Sequence, residues 1–185
     1  MGGTTGLLPY KAALVGQCAA IGLALVAAVT DWRRGEIPNW LTLPPLVLAP
    51  AAFALFVSPG AALVSIAGIF ICGLVPYLLF RQDAIGGGDV KMVAAIGAVA
   101  GYVNGLEFEL AGFVVAALYA LGRLTWEGKL LRTLANSFFI ALNPILPKSW
   151  RREVSPTLMS KVRMGGAFLV GAVVVTLAHY PQLWI

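Results

Sequence analysis

The sequence predicts an all-α, polytopic membrane protein forming a single domain over residues 1–185, with about six transmembrane helices and an amphipathic surface helix between the fifth and sixth. Three observations carry this. Hydrophobic residues make up 59% of the chain and charged ones 11%, with a mean hydropathy of +0.87, whereas soluble domains hold about 25% charged residues. Six segments approach the roughly 20 apolar residues that a helix needs to cross a hydrocarbon core of about 30 Å. The basic residues also gather on one side of those segments.

The first segment runs from about 12 to 30, longer than the apolar region of a cleaved signal peptide, and its basic residues follow it, so it is expected to stay as a permanent helix. The second, about 41 to 57, contains Pro44, Pro45 and Pro50; each removes a backbone donor, which predicts a late start or a bend. A third follows at about 60 to 80. Segments four and five, about 90 to 106 and 108 to 122, are joined through Asn104, Gly105 and Glu107, a turn signal that predicts a helical hairpin. Gly97 and Gly101 have the small-xxx-small spacing of close helix packing. From Arg123 to Arg163 the chain is polar, and Leu130, Leu134, Phe138, Ala141 and Ile145 recur at helical spacing. A surface helix fits better there than a seventh span over about 130 to 146, because Arg132, Asn136, Asn143 and Pro144 oppose burial in lipid. The sixth span covers about 164 to 180. Trp40, Trp126, Trp150 and Trp184 fall near span ends, where indoles anchor at the interface; Trp32 is either another anchor or a cover for the nearby acid Asp31.

Orientation follows from the basic residues, which stay in the cytoplasm. Arg33 and Arg34, then Arg81 and Lys91, then eight residues from Arg123 to Arg163 share one side, leaving Lys11 alone on the other. Six spans with both termini outside satisfy all three loops. The 13 Lys+Arg against 8 Asp+Glu give a net charge of +5, which topology and anionic headgroups explain at roughly 1 kcal/mol per basic residue. The partner implied is the lipid bilayer; nucleic acid is not needed. Cys18 and Cys72 lie in apolar runs without a CxxC pair, which excludes a zinc knuckle, a redox motif and a disulfide scaffold.

Two acids stand out by depth and parity. Asp31 ends span one and Asp89 starts span four; spans two and three go out and return, so residues 58 positions apart come back to the same membrane face. Taken singly, Asp89 also reads as a helix N-cap and Asp31 as an anion balancing Arg33 or Arg34. Gly86, Gly87 and Gly88 run straight into Asp89 and Lys91, and consecutive glycines permit close backbone approach. A phosphate cradle does not fit, since neither GxxxxGK[ST] nor GxGxxG is present. Downstream of Asp31, Pro38 forces Ile37 out of the α region and ends the helix. Lys91 either neutralises the acids or contacts lipid phosphate, and Asp83 and Glu36 read as loop charge. Glu107 and Glu109 sit near the opposite face and are expected to be solvated, with His179 interfacial.

Together these stretches resemble the prepilin peptidases, the GxGD class of membrane aspartic proteases. The matching residues are Asp31 with Ile37, Pro38 and Asn39, then Gly86, Gly88, Asp89 and Lys91; Arg163 to Phe168 with Gly171 is a weaker third match to the family's final span. The resemblance implies cleavage of a prepilin leader at the cytoplasmic face of the bacterial inner membrane. Asp31 and Asp89 would be catalytic, and Gly86, Gly87, Gly88, Lys91, Pro38 and Asn39 would bind substrate or shape the site. Longer members carry an N-terminal region with two CxxC pairs that supports N-methylation; this chain shows neither, so it looks like the short type serving tight-adherence (Flp) pili.

The carboxyls themselves suggest the chemistry. Two acids sharing a site cannot both ionise cheaply, so they share a proton. One activates water against the scissile carbonyl, while the other polarises that carbonyl and protonates the leaving amine. The helix start at Asp89 favours it as base and Asp31 as acid. No metal or cofactor is expected. The rival from another class is a small transporter or pilus-assembly subunit in which Asp31 and Asp89 bind a proton or cation, although transporter sites favour the midplane.

Overall fold

The computed structural model describes residues 8–128 and 164–179, and among these every regular element is helical. The segment 130–146, Trp150 and Trp184 lie outside the described residues. Among the described residues, 8–116 and 164–179 belong to one compact unit and 117–128 to a second. Within the second, Arg123 Nε pairs with Glu127 Oε1 at 2.9 Å on the surface, a contact of little energetic weight.

Helix α1 (Tyr10–Arg34) ends at Gly35, whose φ of 72° is the left-handed conformation that glycine adopts at no steric cost. The Gly35 N–H donates to the Asp31 carbonyl at 2.9 Å, stopping the helix just beyond the acid. Helix α2 (Asn39–Phe56) follows Pro38 and contains Pro44, Pro45 and Pro50. The expected late start is corrected: α2 begins ahead of all three prolines, which membrane helices accommodate because their surroundings re-satisfy the backbone. Ser58 caps α3 (Pro59–Phe80), accepting the Ala61 N–H at 3.1 Å, with proline at the first helical position.

Helix α4 (Gly87–Trp126) is 40 residues long, about twice what a bilayer crossing needs. It folds back on itself. Gly101 has φ 78° and ψ 165°, and a Cβ on Gly105 would lie 2.9 Å from the Cα of Gly97, eight positions earlier, where a continuous helix would hold them about 12 Å apart. The expected hairpin is therefore present, with its reversal at Gly101 rather than at Asn104 to Glu107. Gly101 consequently supplies a positive φ, while Gly97 provides the close packing. Helix α5 (Gly165–His179) packs along α1, and α2 packs against α3. Four helices, α1 to α4, are long and apolar enough to cross a membrane, and α5 is a shorter apolar helix of 15 residues.

Glycines let these helices approach to backbone contact. A Cβ on Gly68 of α3 would strike the Gly97 carbonyl, one on Gly16 of α1 the Val99 carbonyl, and one on Gly112 the ring of Phe168. Such packing replaces the hydrophobic drive that lipid cannot supply between helices. Trp32, Trp40 and Trp126 are exposed near helix ends, as interfacial anchors require.

Candidate active site

The site is built where α1 ends and α4 and α5 begin. Asp31, in the last full turn of α1, is only 8% exposed, and its Oδ2 accepts the N–H of Gly165 at 3.2 Å. Asp89 is the third residue of α4 and is half-buried. Its Oδ2 accepts the N–H of Gly86 at 3.2 Å, the reach-back half of a capping box, so it does not sit at the N-cap itself. The two carboxyls are near enough to repel each other when both are charged. Their motifs also touch directly. A Cβ on Gly88 would lie 3.1 Å from the Cβ of Ile37 and 3.4 Å from its backbone N and O, so the loop after α1 rests against a glycine of α4. Pro38 leads from that loop into α2. Lys91 Nζ donates to Asn39 Oδ1 at 2.8 Å, bracing the start of α4 against the start of α2.

Most of the expected site residues are thus brought together. Asp31 and Asp89 sit within electrostatic range, Gly86 and Gly88 make contacts that a side chain would disturb, and Lys91 meets Asn39 rather than either partner foreseen for it. Gly87 has the ring of Phe80 at 3.4 Å from its would-be Cβ, so it packs against α3 rather than facing the acids. Gly165 carries the third polar contact. The sequence signal for it is the weaker third match, Arg163 to Phe168, which names no partner 134 positions away. Among the described residues no group of three or more His, Cys, Asp or Glu side chains could hold a metal ion.

The distant acids depart from expectation. Glu109 is 3% exposed with Oε2 unpartnered, because its arm of α4 packs inside the bundle rather than ending at the surface. Glu107 faces His179, with 3.3 Å between Oε2 and Nε2, consistent with an interfacial histidine.

These features define a multi-pass helical membrane protein that draws two motif-borne acids together at helix ends. The family model for the type IV leader peptidase family matches residues 18–121, more than half of the chain and both acidic motifs, and the chain belongs to that family. Membership makes it a membrane protease of the prepilin-processing kind. No curated protein and no solved structure matches the chain.

Proposed function

We propose that the protein is an aspartic endopeptidase of the bacterial cytoplasmic membrane that removes the leader peptide from type IV prepilins at the cytoplasmic face, with Asp31 and Asp89 as its dyad. The observation that carries this reading is the meeting of the two acidic motifs: carboxyls within repulsive range, Ile37 seated on Gly88 and Asn39 tied to Lys91. In the proposed reaction one carboxyl is ionised and the other protonated. The ionised acid takes a proton from water as its oxygen attacks the scissile carbonyl. The protonated acid donates to the carbonyl oxygen, and a proton then passes to the departing amine. All of these steps use oxygen and nitrogen acids already present in the pair, the water and the peptide.

Six spans with both termini outside would put the dyad on the cytoplasmic side, where a leader preceding an apolar pilin helix emerges from the bilayer. Flp-type prepilins, whose processing the short-type resemblance implies, are the first substrates to try. The test is incubation of the protein in liposomes with candidate prepilins from the same genome, with mass spectrometry of the products. A single cut just before the apolar helix is expected, with a rate that is bell-shaped over about pH 4 to 9. Intact substrates from folded protein, or a flat chemistry-limited profile, would overturn the reading.

A further inference from the structure

Beyond the two acids, the contact between Asp31 and α5 joins residues 134 positions apart and brings the start of α5 to the site. Gly165 is the first residue of α5, so its N–H is among the donors that a helix leaves unpaired at its start, and it lies at the positive end of the helix dipole. That donor points at Asp31 Oδ2. The fit is tight: a Cβ would lie 3.1 Å from the Cα of Ala28 and 3.2 Å from both Cβ and Oδ2 of Asp31, so its neighbours would have to give by a few tenths of an ångström. The neighbouring Gly166 has open space around its own would-be Cβ, so the constraint belongs to position 165 and not to the glycine pair. Asp89 is held in a matching way, one oxygen on the Gly86 N–H. Each carboxyl therefore has one oxygen anchored to a backbone donor at a helix start, contributed by Gly165 of α5 in one case and by Gly86, just before α4, in the other.

We propose that Gly165 is a positioning residue for leader cleavage: its N–H at the start of α5 fixes the Asp31 carboxyl so that one oxygen is anchored and the other is presented to water and substrate. This rests on the dyad proposed above. Packing of α5 along α1 would be its means of delivery, making the last apolar helix part of the reaction site although its sequence offers no acid, base or nucleophile there.

Two substitutions at one position compare a retained contact with a broken one. Gly165→Ala keeps the N–H and adds a Cβ; Gly165→Pro removes the N–H and puts the ring Cδ in its place facing Asp31 Oδ2, at the helix position where proline is best tolerated. Gly166→Pro serves as a control. With wild-type cleavage as the reference, Gly165→Pro is expected to have a kcat at least about tenfold below that of Gly165→Ala, with KM within about twofold, because the broken contact is to the dyad and not to substrate. Gly166→Pro should cleave nearly as wild type does. Equal kcat for the Ala and Pro variants, or a loss confined to KM, would overturn the assignment while leaving the protease reading intact. Absence of cleavage by wild type would instead remove that reading. Should Gly165→Pro fail to fold, glycine-labelled protein still decides: Asp31→Asn should move the Gly165 amide proton upfield, and an unmoved resonance would contradict the contact.

Discussion

Two regions of the molecule rely on glycine, and they use it for different ends. Around the reversal at Gly101, the residues Gly68, Gly97 and Gly105 bring backbone against backbone with Cys72 wedged between the arms; a Cβ on Gly105 would lie 2.7 Å from its Sγ. At the acidic end, Gly86, Gly88 and Gly165 clear space for a loop or present an N–H to a carboxylate. The first region builds packing, and the second sets the positions of polar groups. Substitution in the first should therefore cost stability, while substitution in the second should cost activity in a protein that still melts normally.

The sharpest break in that comparison would come from Gly68→Val. Its branched side chain must displace the Gly97 backbone, and about 2 to 3 kcal/mol of destabilisation is expected, read as a lowered melting temperature in detergent. Gly88→Ala should show the opposite pattern. Its Cβ meets Ile37 at 3.1 Å, so the loop shifts by a few tenths of an ångström. A rate loss of about tenfold with an almost unchanged melting temperature is the expected outcome, since small misplacements near reacting groups are costly. Gly101→Ala asks a side chain to adopt φ 78° and ψ 165°, a region essentially restricted to glycine, and should lower stability by about 1 to 3 kcal/mol. The smallest effect belongs to Lys91→Met, which removes the exposed bond to Asn39. A few-fold fall in cleavage is expected, in line with about 0.5 to 1.5 kcal/mol for one hydrogen bond. A melting temperature that falls as far for Gly88→Ala as for Gly68→Val would erase the distinction between the regions.

What the sequence made legible follows the same division. Helix existence was readable from hydropathy because crossing a bilayer demands long apolar runs, and the pairing of Asp31 with Asp89 was readable because helix parity returns alternate ends to one face. The sequence pattern puts the turn of the hairpin some residues late. Polarity at Asn104 and Glu107 suggested a loop, whereas the reversal is made by the conformation of Gly101 and the polar residues lie within the returning arm. The burial of Glu109 was hidden for a related reason, since depth depends on where that arm begins. Gly165 falls inside the weaker third motif match, but its contact was not legible, because a backbone N–H leaves no mark in sequence and its partner lies on α1.

The central claim is that Asp31 and Asp89 act as one catalytic pair. It is tested most directly by a gel-shift cleavage assay in liposomes, with a cognate prepilin and the wild type beside Asp31→Asn and Asp89→Asn, all three shown to be folded by their melting curves. The account predicts cleavage by wild type and a loss beyond about a thousandfold in each variant, because each acid has a separate role that its amide cannot fill. Continued cleavage by either folded variant would contradict it.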